Sequence, residues 1–323
     1  MRNFALAAAL AMCSMGMGVG ALAQGYPSKP IRLVVGFSPG GAADVVARNI
    51  GEGLGRALGQ PVIVENRAGA GSSIAAENVA KSAPDGYSML IASPAGISVN
   101  PALNPKLNYR PSDLMPITKV SASPLLIVVN PATGITSVSE LIAAAKKSPG
   151  KLNYATSGVG SAPHFGAVLF SRITGIDMVH IPYKGGGQSV ASVVAGDTQV
   201  TFATPPSVLP MVRAGRLRVL AVTNLDRSPL MPEVAGMAEA GVPEFSMAFW
   251  YGFFVPAGTP PDIIRKLFEA TTIAAQRSEF KAALAREGTE VALSRSPEDF
   301  AEFLNEDAKF WVRLVKESGA TAD

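Results

Sequence analysis

The sequence predicts an α/β protein built as two lobes, and three observations carry that expectation. From residue 31 to residue 92, short β-branched apolar runs alternate with helical stretches, the rhythm of a parallel sheet. A second rhythm of the same kind occupies residues 125–222. The chain then returns to a strand-like run at 249–255 and closes in helices, so it would pass between lobes near residues 121–127 and 245–252. A chain of 323 residues is long enough for two cores, and its aliphatic-rich, aromatic-poor composition (7% Phe, Trp and Tyr) suits α/β layers rather than a coiled coil or a disordered chain.

The first lobe opens at Pro27-Ser28-Lys29-Pro30, and residues 31–35 read as a buried strand. Ser38-Pro39-Gly40-Gly41 breaks it. Residues 42–58 read as a helix with Val45, Val46, Ile50, Leu54 and Leu58 on one face, ended by Gly59. Strands at 61–65 and 87–92 flank a Gly-rich loop at 67–71 and a helix at 72–80. In the second lobe, strands are expected at 125–129, 152–155, 178–181, 200–203 and 217–222. Helices are expected at 137–147, 161–173, 188–194 and 206–214, the first capped by Ser137 or Ser139. After 255 only helices are expected, at 260–276, 278–287 and 297–316, packed back on the first lobe. The expected organisation is a leader over 1–23, a first lobe of 24–123 plus 250–323, and a second lobe of 124–249.

The leader reading rests on Arg2, an apolar run over 4–19 and the small residues of Ala21-Leu22-Ala23, a pattern read by signal peptidase. Ser14, Gly16 and Gly18 interrupt the run, which is too short to anchor in a bilayer. Cleavage after Ala23 would leave Gln24 first and remove Cys13, the sole cysteine, so no disulfide or thiolate metal site would remain. Losing Arg2 takes the formal net charge from +3 to about +2. Lys and Arg are dispersed, which argues against nucleic acid as a partner. The two histidines, His164 and His180, show no metal-ligand spacing, and no metal or cofactor is expected.

Two loops stand out. Gly36-Phe37-Ser38-Pro39-Gly40-Gly41 lies between a strand and a helix. It contains a formal Gly-x-Ser-x-Gly, which raises a secreted serine hydrolase using Ser38 as an alternative. Pro39 has no N–H to lend an oxyanion hole, and this is the first strand of the mature chain, so no earlier loop supplies the other donor. The stronger reading uses the backbone: Gly40 and Gly41 admit close approach, and the helix start offers free N–H groups and a positive dipole end to an anion. Asp44, in the first turn, is expected to cap. The second loop, Thr156-Ser157-Gly158-Val159-Gly160-Ser161-Ala162-Pro163-His164, has the same setting. Ser157 and Ser161 are candidate donors, Ser161 equally an N-cap, and His164 either a ligand contact or a structural histidine. Facing each other at the carboxyl ends of strands, the loops would clamp an anion. Dinucleotide and P-loop motifs are not matched: Gly69-Ala70-Gly71 lacks the third glycine, and Lys184-Gly185-Gly186-Gly187 is in reversed order. Ser93 and Thr204 are the candidates for contacts at the ligand's far end.

Several stretches in order resemble one known family. They include Tyr26-Pro27-Ser28-Lys29-Pro30-Ile31-Arg32, Phe37-Ser38-Pro39-Gly40-Gly41-Ala42-Ala43-Asp44, Val64-Glu65-Asn66-Arg67-Ala68-Gly69-Ala70 and Pro84-Asp85-Gly86-Tyr87. They continue with Thr156-Ser157-Gly158, Gly160-Ser161 and His164, then His180-Ile181-Pro182-Tyr183-Lys184-Gly185 and Ala214-Gly215-Arg216-Leu217-Arg218. Over nearly the whole mature chain the sequence resembles the Bug-type extracytoplasmic solute receptors, the substrate-binding subunits of tripartite tricarboxylate transporters. The resemblance implies a monomeric, non-catalytic, two-lobed periplasmic binding protein of type II that closes on a small organic mono- or dicarboxylate, delivered to membrane transporter subunits or sensed by a receptor kinase. It also implies that the loops at Phe37–Gly41 and Ser157–Ser161, with His164, pinch one carboxylate, partly through water. The chain departs from the family pattern at Phe165, where Leu is common, and at Thr204-Pro205-Pro206, where more polar residues are usual.

Overall fold

The computed structural model describes residues 25–318, with side chains to 316. The expected leader and the new N-terminus at Gln24 lie outside the described residues. No helix among those described is long and apolar enough to cross a membrane.

Two sheets organise the chain. The first begins with β1 (Ile31–Val35), whose side chains are almost all buried because helices cover both faces, as central parallel strands require. It pairs in parallel with β2 (Val62–Asn66) on one side and β3 (Ser88–Ala92) on the other. The crossovers are α1 (Ala42–Leu58), which buries Val46, Ile50 and Leu54, and α2 (Ser73–Ala80). Next comes a run the sequence reading left without an element: a π-helical turn (Ala95–Val99), a short α3 (Asn100–Leu103), and an eleven-residue β4 (Leu114–Pro124). Pro116 and the polar Thr118, Ser121 and Ser123 disguise β4, yet all three polar residues are buried. Thr118 Oγ1 is used twice, donating to the Lys119 carbonyl and accepting from the Ser294 N–H.

The second sheet comprises β5 (Leu126–Val129), β6 (Asn153–Thr156), β7 (Val179–Pro182), β8 (Val200–Ala203) and β9 (Arg218–Val222). Its helices are α4 (Val138–Lys147), capped by Ser137, then α5 (Ala162–Thr174), α6 (Gly186–Ala195) and α7 (Pro205–Arg213). The strand order is β7-β6-β8-β5-β9, in which β5 alone runs antiparallel to both its neighbours. In the first sheet β10 (Ala248–Pro256) takes the corresponding place, in the order β11-β4-β10-β3-β1-β2. In each sheet, therefore, three parallel strands abut one antiparallel strand that arrives from the other sheet. β11 (Glu290–Val291) is a two-residue strand on the edge of β4, a correction to the expectation that only helices follow residue 255.

The chain leaves the first sheet at Pro124 and enters the second at Leu126. It returns after Met247. One buried threonine ties the two passages. Thr223 Oγ1 accepts from the Leu125 N–H at 2.7 Å and donates to the Met247 carbonyl at 2.7 Å. The Thr223 backbone pairs with Leu125 and Met247 as well, both at 2.9 Å.

The closing helices are α8 (Pro261–Gln276), α9 (Ser278–Arg286) and α10 (Pro297–Ser318). α8 lies on α1, and α10 lies on β4 and β10, where Phe300 meets Trp250 edge-on at 5.6 Å. Asp307 of α10 accepts from Trp250 Nε1 at 3.1 Å. α10 also reaches the second sheet's helix α5, with Trp311 edge-on to Phe165 at 6.1 Å.

Candidate functional site

The loops after the parallel strands of both sheets meet face to face. After β1, Gly41 is the residue at the N-terminus of α1 and has no side chain to cap it, so the first-turn N–H groups are left for other partners. The loop is held from behind. Asp44, expected to cap, instead accepts the Gly40 N–H at 3.0 Å, Arg48 Nε at 2.9 Å and Asn66 Nδ2 at 2.9 Å. Asn66 Nδ2 also donates to the Phe37 carbonyl at 3.0 Å. Burial alone would raise the Asp44 pKa, but the bonds from Arg48, the Gly40 N–H and Asn66 outweigh it and hold the carboxyl below its usual range.

The loop after β6 is braced by its own hydroxyls. Ser161 Oγ accepts the His164 N–H at 3.4 Å and donates to the Gly158 carbonyl at 2.7 Å. Thr156 Oγ1 accepts the Gly158 N–H at 3.2 Å and lies 2.6 Å from His180 Nε2. His164 Nδ1 accepts the Gly160 N–H at 3.3 Å. Its ring stacks on His180 at 4.2 Å, and His180 stacks in turn on Tyr154 at 5.0 Å. Burial, with the neighbouring His180 second, pushes the His164 pKa down to about 3.

The two halves are in contact. Ser38 Oγ donates to the Lys184 carbonyl at 3.3 Å. A Cβ on Gly71 would lie 2.5 Å from the Val159 carbonyl oxygen, and one on Gly160 would lie 1.9 Å from Asn100 Oδ1. Both glycines have positive φ, so their backbone shape and this close approach each favour glycine.

Between the halves lie two neighbouring spaces whose walls share Phe37 and Ser157. The smaller is a slot of about 20 Å³, room for one water. Four helix starts converge on it: Gly41 and Ala42 of α1, Ser161 and Ala162 of α5, Gly186 of α6, and Thr204 before α7. Tyr251, in a hydrogen bond with the Ala43 backbone, closes its floor. The larger is a chamber of about 270 Å³, walled by four strand-to-helix loops and by the segment over 100–107.

Of the residues singled out from sequence, Phe37, Gly41, Ser157, Gly158, Ser161 and Thr204 line these spaces. Ser157 Oγ has no protein partner among the described residues. Ser161 Oγ is occupied within its own loop and acts as the N-cap of α5. Pro39 and Gly40 stand on the exposed corner of the first loop, and Ser38 bridges the halves. Gly160 and His164 line neither space; they shape the loop from behind. Ser93 is fully buried, its hydroxyl unpaired, and it lines neither space. Sequence reasoning passed over the loop at 69–73, whose Gly69, Ala70, Gly71 and Ser72 all have positive φ, together with Asn104, Tyr183 and Lys184. The signal was present: the run Gly69-Ala70-Gly71-Ser72-Ser73 is a third strand-to-helix loop of glycine and serine, dismissed only as a dinucleotide motif. Among the described residues no group of three or more His, Cys, Asp or Glu could hold a metal ion.

Two α/β lobes joined by two crossing segments, with the ligand space between their loops, define a solute-binding protein of type II. The tripartite tricarboxylate transporter family receptor model matches residues 46–320, and the chain belongs to that family. Protein BugT of Bordetella pertussis is 37% identical over 311 residues, 96% of this chain and 95% of its own length. Among solved structures, R. palustris Rpa4515 with adipate matches with a TM-score of 0.87 at 32% identity, covering 91% of this chain and 98% of that one. MatC from Rhodopseudomonas palustris with bound malate matches with a TM-score of 0.85 at 30% identity, covering 90% and 100%.

Proposed function

We propose that this protein is a periplasmic, non-catalytic receptor that captures a small organic carboxylate between its lobes and presents it to membrane transporter subunits. The observation that carries this reading is the convergence of four helix starts on one slot. The starts of α1 and α6 and the Ala162 N–H of α5 offer backbone donors, whereas Pro163, Pro205 and Pro206 have none, so α7 adds only its dipole end; together they favour a carboxylate without a charged side chain. Ser157 Oγ adds one hydroxyl donor. Phe37, Ser38, Gly41, Gly158 and Thr204 form the surrounding contacts, while His164, Ser161 and Asp44 keep the loops in shape. The slot has room for one water, so it seats a carboxylate oxygen or the water that bridges to it, and the chamber takes the rest of the molecule. The acids in the two similar solved structures support the same chemistry.

In this reading residues 1–23 direct export. The protein works as a monomer whose lobes, 24–123 with 250–323 and 124–249, move about the Leu125–Thr223–Met247 tie. Ligand shifts the equilibrium to the closed form because only that form brings both sets of helix starts to the anion. A hydrolytic role for Ser38 is not favoured: its hydroxyl is engaged by the Lys184 carbonyl, and Pro39 supplies no N–H. The test is thermal unfolding of the mature chain with a panel of mono- and dicarboxylates. A ligand at a hundred times its dissociation constant adds about 2.7 kcal/mol. A folded protein that responds to no acid overturns the reading.

A further inference from the structure

The chamber's far wall differs in chemistry from the slot. It is formed by the segment over 100–107, which the slot does not share. Leu103 and Leu107, four residues apart and half-buried, give it an apolar strip. Two asparagines flank that strip. Asn100 has its amide donors engaged: Nδ2 lies within hydrogen-bonding distance of the Ala70 and Gly71 carbonyls and of Ser73 Oγ, at 2.8–3.0 Å.

Asn104 is arranged differently. Its backbone N–H donates to the Asn100 carbonyl at 2.8 Å and its carbonyl accepts from the Leu107 N–H at 3.3 Å. Its side-chain Oδ1 accepts the Lys106 N–H at 3.0 Å, the turn that asparagine makes with its own backbone two residues on. That bond orients the amide, and the Nδ2 group has no partner among the described residues. A fixed side chain on a cavity wall is thus left with both donors unused. Among the described residues Lys184 is the single charged one of the wall, and it is exposed.

We infer that Asn104 is the residue that selects the ligand by its far end, so the preferred ligand is an acid with an apolar middle and a second hydrogen-bond acceptor. This rests on the carboxylate reading above. The body of the ligand lies on Leu103 and Leu107, and the acceptor meets Asn104 Nδ2. Size agrees: a cavity of about 150 Å³ holds benzene, so about 270 Å³ holds roughly eleven non-hydrogen atoms, one end already in the slot.

The test is calorimetric titration of the mature protein with matched pairs that differ only in replacing the far carboxylate by methyl. The pairs are succinate and butanoate, adipate and hexanoate, suberate and octanoate, and terephthalate and 4-methylbenzoate. The wild type should prefer the two-ended acid of its best pair by at least about tenfold, the worth of a hydrogen bond to a charged group. Asn104→Leu should reduce that preference to about threefold or less while leaving the one-ended acid bound as before. Asn104→Asp keeps the acceptor for the Lys106 N–H, and hence the fold, but sets a negative charge against the far end. It should weaken the two-ended acid by about a hundredfold or more and the one-ended acid little. An unchanged ratio in Asn104→Leu, no preference in the wild type, or a ratio that collapses in Lys184→Gln instead overturns the inference while acids still bind. Binding of no acid at all overturns the carboxylate reading and this inference with it.

Discussion

Acidification should destabilise the second lobe through His164, by an amount that can be worked out in advance. The imidazole is buried, 6% exposed, and its folded pKa is about 3 against an ordinary 6.5. The unfolded chain therefore takes up the proton first as pH falls. Stability is complete above about pH 6.5 and is lost downwards from there, the loss ending near pH 3. Between pH 7.5 and pH 5.0 the loss comes to about 2 kcal/mol. Asp307 works in the opposite sense. Burial raises its carboxyl to about 6, against the bond from Trp250 and the charge of Lys119. The folded state then binds the proton more readily than the unfolded chain, so stability rises by about 1 kcal/mol over the same interval. The net response of the wild type is small, and a comparison isolates the histidine. His164→Phe keeps a ring against His180 but removes the acceptor of the buried Gly160 N–H, costing about 1 kcal/mol at pH 7.5. At pH 5.0 the order should reverse, with the variant about 1 kcal/mol more stable than the wild type. Urea unfolding midpoints of both proteins at both pH values measure it. Parallel losses in the two proteins would refute the reasoning.

Three further outcomes follow from the same contacts. Asp44→Ala removes the anchor of the first loop; since Arg48 is half-exposed its share is small, and the loss should be about 2 kcal/mol in unfolding free energy, with weaker acid binding by calorimetry. Thr223→Val keeps the shape but strands the Leu125 N–H and the Met247 carbonyl at the crossing, so urea unfolding should show a loss of about 2–3 kcal/mol. Gly71→Ala meets Asn100 Nδ2 at 2.8 Å within its own lobe and the Val159 carbonyl at 2.5 Å only when the halves are together, so the unliganded protein should lose about 2 kcal/mol and acid affinity should fall at least tenfold besides; unchanged affinity would argue against closure of the lobes.

Much of the fold was legible because its signals are local. Residues 42–58 read as a helix from the spacing of Val46, Ile50 and Leu54, and the structure has α1 over Ala42–Leu58. Mostly apolar runs such as Ile31–Val35 and Val200–Ala203, each with one polar residue (Arg32, Thr201), are strands buried on both faces. β4 was not legible, because its prolines and buried Thr118, Ser121 and Ser123 look like a loop until β10 and β11 pair with it from either side. Thr118 Oγ1 and the Lys119 N–H find their partner in Ser294, more than a hundred and seventy residues away in sequence, while the Ser121 hydroxyl stays buried and unpaired. The site divides in the same way. Gly40, Gly41, Gly158 and Ser161 announce open helix starts from residue type alone, whereas Asn104 and Lys184 carry no local mark.

The amino-acid sequence by itself determined the two α/β rhythms, the glycine and serine loops that open their helices, and the family to which the chain belongs. Each of these is a matter of residue type and short spacing, which act over a turn or a strand. The tertiary structure alone decided which loops face each other. It buried Ser93 away from the ligand space, placed His164 behind its loop on His180, and put Asn104 on the chamber wall. Those outcomes depend on how two sheets come together across Leu125 and Met247, and contacts between residues so far apart in the chain leave no periodic trace in it.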